Sequence, residues 1–190
     1  MSIKNIFIIL LVCSISLTFI GNVSADEWYT ADIPMDYQEN DHYCGPASLR
    51  MIGLSWGIDK SQDTIASNAG TSGDGTGHGG LSNAASKLFS ASYSEWLWSN
   101  VDINGYTKDF LLSGTRYIFH IMTGTLKTDA YGNSLWQGDY GHYIVLKGVN
   151  PDRNLFKIND PTKGTIDLTY DQLKKATAQI SQKSVLSFNR

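Results

Sequence analysis

The segment Gln38-Glu39-Asn40-Asp41-His42-Tyr43-Cys44-Gly45-Pro46 sets a thiol at what reads as the start of a helix, with a side-chain amide six residues before it. A cysteine attacks as its thiolate, and the positive end of a helix favours that form. Peptide N–H groups at a helix start lack partners inside the helix and can hold an oxyanion. Gly45 puts no side chain beside the sulfur, which reads as room for a substrate carbonyl. Gln38 would add a side-chain N–H to the same oxyanion, a contact worth on the order of 3 kcal/mol. The chemistry implied is acyl transfer through a thioester, and it needs a base.

Four histidines are candidates. His42 is too close to Cys44 in sequence to swing freely onto it and reads as a loop residue. His78 lies in a Gly-rich stretch and reads as solvated. His120 interrupts the apolar run Tyr117 to Met122, the pattern of a satisfied core histidine. His142 opens the apolar run Tyr143-Ile144-Val145-Leu146, so a strand would hold its ring at one end. The turn formers Asn150-Pro151-Asp152-Arg153-Asn154 fold that strand back onto Leu155 to Asn159. A hairpin centred near Asp152 puts His142 opposite about residues 160–162, where Asp160 stands. Directly opposed Cβ atoms are roughly 4.5–5.5 Å apart, close enough for a carboxylate to fix the imidazole tautomer. Asp160-Pro161 also reads as a plain turn after a strand.

The elements that must position these groups divide along the chain. Residues 26–43 read as extended or looped. Cys44 to Trp56 reads as a helix, with Pro46 in its first turn and Leu49, Ile52 and Trp56 on the buried face. A second helix is expected from Lys60 to Ala69, capped by Asp59 with Gln62 completing a capping box. A third runs from Leu81 to Phe89. Later come strands at Glu95 to Ser99, Tyr117 to Met122, Tyr143 to Val149, Leu155 to Asn159 and Ser184 to Phe188. A helical turn at Thr107 to Ser113 and a helix at Tyr170 to Gln179 lie among them, and Thr125 to Gly141 is a loop. Helices first and strands later is the signature of an α+β domain, with N-terminal helices packed on a C-terminal antiparallel sheet.

A chain of 190 residues with 42% hydrophobic and 17% charged residues carries enough apolar material for one globular core. A net charge of −3 with no basic patch argues against nucleic acid as a partner. Lys4, the apolar run Ile6 to Ile20 and Val23-Ser24-Ala25 form a signal-peptide pattern, with cleavage expected after Ala25. The run is short for a membrane span, although an uncleaved anchor is the alternative. Cys13 falls in this segment, so Cys44 would be the one thiol of a secreted chain over residues 26–190 and no internal disulfide could form.

Gln38 with Cys44-Gly45-Pro46-Ala47-Ser48, then Gly141-His142-Tyr143-Ile144-Val145, then Asn159-Asp160-Pro161, resembles the C39-like peptidase family. These are papain-like cysteine peptidases related to domains that trim double-glycine leader peptides of bacteriocins. The resemblance spans about residues 33–164 in three ordered blocks. It implies a papain-like fold with Cys44 as nucleophile, His142 as general base and acid, Asp160 as orienting group and Gln38 as oxyanion-hole donor. Cys44 and His142 stand closer in sequence than the roughly 130–150 residues usual in papain-like enzymes, and the papain-type sequence around the nucleophile is absent. No transporter segments follow, so the substrate is not inherited from the leader-processing exporters.

Other patterns carry less. Gly75-Thr76-Gly77-His78-Gly79-Gly80 matches a dinucleotide fingerprint, but that motif must follow a strand and here follows a helix and loop. A flexible wall of the substrate cleft fits better, and no cofactor is expected. Lone cysteine and scattered histidines do not match a zinc pattern. Trp96 and Trp98 would share one face of a strand, as core packing or as a peptide- or cell-wall-binding platform. The expected function is therefore a secreted cysteine peptidase acting on peptide or isopeptide bonds. A transamidase using the same thioester, or a non-catalytic binding module on the same scaffold, are the alternatives.

Overall fold

The computed structural model describes residues 26–103, 105–180 and 183–190. The expected signal peptide over residues 1–25, and Cys13 within it, lie outside the described residues. Among the described residues no helix is long and apolar enough to cross a membrane.

A two-residue strand, β1 (Tyr29–Thr30), precedes three helices, α1 (Cys44–Ser55), α2 (Gln62–Ala69) and α3 (His78–Phe89). Then follow β2 (Ser92–Trp96), α4 (Tyr106–Leu112), β3 (Arg116–Met122), β4 (Gly141–Asn150), β5 (Leu155–Asp160), β6 (Gly164–Thr169), α5 (Tyr170–Thr177) and β7 (Val185–Asn189). The strands form one antiparallel sheet in the order β2-β7-β3-β4-β5-β6, with β1 added on β4. The expected α+β architecture is what the chain adopts. Leu49 and Ile52 of α1 are fully buried, as is Ile144 of β4, and the core continues through Ile118, Phe119, Phe156, Leu186 and Phe188.

Several local expectations change. The cap of α2 is Ser61, whose Oγ accepts from the Thr64 N–H at 3.2 Å. Asp59, the expected cap, faces Arg50 at 3.1 Å instead. Helix α3 starts at His78, three residues before the expected Leu81. Strand β6 was not expected, because only Ile166 and Leu168 mark it in sequence; its pairing along β5 from Leu155↔Thr169 to Asp160↔Gly164 makes it a strand. Strand β2 ends at Trp96, so Trp96 and Trp98 share no strand face. Trp98 turns inward, its ring 5.7 Å from Phe119, 5.9 Å from Phe156 and 5.2 Å from Tyr170. That is core packing of aromatic rings at favourable separations.

Candidate active site

Cys44 is the first residue of α1 and is half-buried on the wall of a cleft of about 400 Å³. Tyr43 holds the cap position without a side-chain hydrogen bond, so the N–H groups of the first turn are not capped from there. Gly45 does not face the cleft as expected. It is buried, and a Cβ there would meet Thr76 Cβ and Oγ1 at 3.0 Å. Its smallness lets the start of α1 close onto Thr76, which itself lines the cleft beside Gly73, Asp74 and Gly75. The Gly-rich loop thus stands where a cleft wall was expected.

His142 enters at the start of β4 and is 2% exposed. Its Nε2 lies 2.9 Å from Asp160 Oδ2. Nε2 is thereby taken, and Nδ1 is the atom left for the Cys44 thiol, to which the ring also hydrogen-bonds. Desolvation is the largest single influence on this imidazole and opposes its charge. Hydrogen bonds to Asp160 and Cys44, with the charges of both, outweigh it and push the pKa up to about 9. Asp160 is fully buried at the end of β5. Its burial disfavours the carboxylate, but the His142 contact and hydrogen bonds from Thr162 hold its pKa below the usual value. Oδ1 accepts from Thr162 N–H at 2.7 Å, Thr162 Oγ1 at 2.7 Å and Lys163 N–H at 2.8 Å. Trp136, almost fully buried, packs edge-on against His142 at 5.7 Å and keeps water from this pair.

The register that brings the two together is not a plain hairpin. From the turn, Asn150, Val149 and Gly148 pair with Leu155, Phe156 and Lys157. Lys147 is then skipped, and Leu146 and Val145 pair with Ile158 and Asn159. An unbroken ladder would have put Asp160 opposite Val145, on the sheet face away from His142. The bulge moves the pairing by one, so position 144 stands opposite 160 and His142 reaches Asp160 along the diagonal. The two groups meet as expected, but diagonally and by way of a bulge.

Gln38 is half-buried on the loop leading to Cys44. Its backbone N–H donates to Pro161 O at 3.0 Å, which joins that loop to the turn after Asp160. Its Nε2 donates to Asn40 O at 2.9 Å, leaving the second amide hydrogen, and its buried Oε1 has no partner among the described residues. The loop is held by Gln62, which the capping-box reading misplaced. Gln62 is fully buried, donates to Asp36 Oδ2 at 2.8 Å and to Tyr37 O at 2.7 Å, and accepts from Glu39 N–H at 3.0 Å. No local feature of the sequence signals this role, because the partners lie 23 to 26 residues away.

The remaining histidines are placed differently from expectation. His42 is exposed at the cleft mouth. His78 is not solvated but buried, and its Nε2 lies 2.8 Å from His120 Nδ1. His120 is half-buried, lines the cleft and stacks on Tyr143 at 4.5 Å. Desolvation, then the nearby His78 and His142, push the His120 pKa down to about 4. Burial likewise lowers that of His78 against the pull of Glu95. Among the described residues no cluster of three or more metal-ligating side chains is present.

Solved structures share the fold, among them the following three. A protein described as a C39-like peptidase from Bacillus anthracis superposes with a TM-score of 0.64 at 19% identity, over 87% of this chain and 98% of that one. A double glycine motif protease from an AMS/PCAT transporter, in complex with the leader peptide, gives 0.60 at 19% identity, over 84% and 92%. The peptidase domain of Streptococcus ComA, a bi-functional ABC transporter of a quorum-sensing pathway, gives 0.57 at 19% identity, over 85% and 96%. No curated protein matches the sequence. The family model of the Peptidase C39 like family matches residues 30–184, a span that contains Gln38, Cys44, His142 and Asp160, and the chain belongs to that family.

Proposed function

We propose that this chain is a secreted cysteine peptidase that cleaves peptide or isopeptide bonds through Cys44. The observation that carries the reading is the buried His142–Asp160 pair presented to a thiol at a helix start. Secretion rests on the residue pattern of positions 4–25. A peptide substrate is supported by the related protease that binds a leader peptide.

In the resting site the proton sits on His142, and Asp160 balances its charge. The Cys44 thiolate attacks the substrate carbonyl carbon, and the carbonyl π electrons move to oxygen. The N–H groups at the start of α1 and the second amide hydrogen of Gln38 hold that oxyanion. As the tetrahedral species collapses, His142 gives its proton to the leaving amine and the C–N bond breaks. Water, deprotonated by His142, then attacks the thioester and releases the acid and the thiolate.

Incubating the protein with a peptide library, before and after iodoacetamide treatment, tests this reading. Cleavage that disappears once Cys44 carries the carbamidomethyl group supports it; undiminished cleavage sinks it. Adding a primary amine separates hydrolysis from transamidation, since only the latter gives amine adducts. The working state needs a protonated His142, so kcat/KM is expected to hold to alkaline pH and fall as pH rises through about 9. A basic limb near the ordinary imidazole value of 6.5 would show that Asp160 does not support the ring as described.

A further inference from the structure

A second chain of polar side chains runs from the sheet edge to the cleft and has no part in the mechanism above. Tyr93 donates to Glu95 Oε1. The same carboxylate oxygen lies 3.3 Å from His78 Nδ1, a charge contact without aligned hydrogen-bond geometry. His78 Nε2 meets His120 Nδ1 at 2.8 Å. A carboxylate facing Nδ1 of His78 favours the proton there, which makes His78 Nε2 an acceptor. His120 must then donate from Nδ1, and its own Nε2 is left with a lone pair.

That lone pair has a direction. His120 stands opposite Tyr143, and Met122 opposite Gly141, so His120 and position 141 fall on the same face of the β3–β4 ladder. A Cβ on residue 141 would lie 3.2 Å from His120 Nε2, and glycine leaves that space open. His120 and Gly141 both line the cleft that holds Cys44. Stacking on Tyr143, whose hydroxyl donates to Thr76 O at 2.8 Å, fixes the ring plane. The charged and titratable groups around His120 are His78 on α3, Glu95 on β2 beyond it, and His142 and Tyr143 on β4, with Asp41, His42, Cys44, Asp74 and Tyr140 along the cleft.

We infer that Glu95 and His78 hold His120 as its neutral Nδ1–H tautomer, so that His120 Nε2 accepts a hydrogen bond from a main-chain N–H of the peptide lying beside Cys44. His120 is then a specificity residue that touches substrate, and Glu95 and His78 are positioning residues acting through it. The inference rests on the peptidase reading of the cleft. Its consequence is that the cleft reads substrate backbone at a second point, away from the oxyanion. A peptide lacking that N–H, through proline or N-methylation, is bound less well.

The probes are acetyl-Ala-Ala chloromethyl ketone and its two mono-N-methylated forms, and the readout is the second-order rate of Cys44 alkylation. In the wild-type chain one methylated form should react about fivefold more slowly than the parent, the worth of one neutral hydrogen bond. In His120→Phe, which keeps a ring on Tyr143, that penalty should disappear. A penalty of equal size in both proteins, with Cys44 still labelled, overturns the inference and leaves the peptidase reading standing. If no form labels Cys44, the peptidase reading falls and the inference with it. Nitrogen-15 spectra of the wild-type chain give a check that needs no variant. His120 should show a protonated Nδ1 and bare Nε2 between pH 5 and 8, and Glu95→Gln should redistribute that proton. A bare Nδ1 in the wild type overturns the inference.

Discussion

Cys44→Ala is expected to lower peptide hydrolysis by a factor of about 10⁴ or more while leaving the fold intact. Residues that act as one unit lose nearly the whole advantage when the nucleophile goes, because base and oxyanion donors then have nothing to act on. The fold should survive because Cys44 is half-buried and free of any disulfide, and alanine suits the first turn of α1. Cys44→Ser puts a hydroxyl in the same place and is expected to be nearly as inactive. An imidazole poised for a thiolate does not ionise an alcohol to a comparable extent. Turnover on the best library peptide, with circular dichroism to confirm folding, decides the matter. An alanine variant that keeps wild-type turnover would place the chemistry elsewhere in the molecule.

Asp160→Ala is expected to damage both activity and stability. Removing the carboxylate leaves the Thr162 and Lys163 N–H groups without their acceptor and takes away the partner that sustains the buried imidazolium. Breaking a buried pair from one side typically costs about 3–5 kcal/mol. Turnover should fall by about 10³ or more, since His142 loses both its orientation and its positive charge at neutral pH. The stability loss has a pH signature. Asp160 has a depressed pKa, so its contribution is present above the unfolded value of 3.8 and fades as pH falls through the lower folded one. His142 has a raised pKa, so its contribution is complete below 6.5 and is lost as pH rises toward about 9. Thermal melts of wild type and variant should therefore differ most between about pH 4 and 6.5, with the difference shrinking as pH falls below that window and as it rises toward about 9. A constant difference across pH would mean that packing, not the charge pair, accounts for Asp160. Asp160→Asn can still accept from the two N–H groups through its carbonyl and should fall between the two.

What could be read from the sequence follows the reach of each signal. Cys44, His142 and Asp160 lie at element boundaries, and boundaries leave local marks: Pro46 after the thiol, an apolar run after the histidine, Pro161 after the carboxylate. The α+β order follows from the same marks. Register does not, because nothing in Leu146-Lys147-Gly148 announces that Lys147 will be skipped. A plain hairpin places Asp160 near His142, but only the bulge sets the two side chains on one face. Gln62 and His78 mislead for another reason. Their local context, a capping-box spacing and a Gly-rich loop, suits a bland role, and the partners that override it lie more than 20 residues away. Gly45 reads as open space beside the sulfur, but its neighbour across the fold, Thr76, fills that side.

The position of β7 has a consequence for how such a chain is made. Residues 185–189, near the C-terminal end of the described chain, lie between β2 and β3 and pair with both. Until they arrive, β2 has no neighbour in the sheet and β3 is unpaired along one edge. A chain emerging N-terminus first therefore carries unpaired strand edges from the appearance of β2 until β7 is made, the condition that invites association between nascent chains. An internal strand thus comes in after its neighbours, and closing the sheet is a long-range step that slows folding. Strand β3, which carries His120 into the Cys44 cleft, thereby keeps one edge unpaired until β7 reaches it.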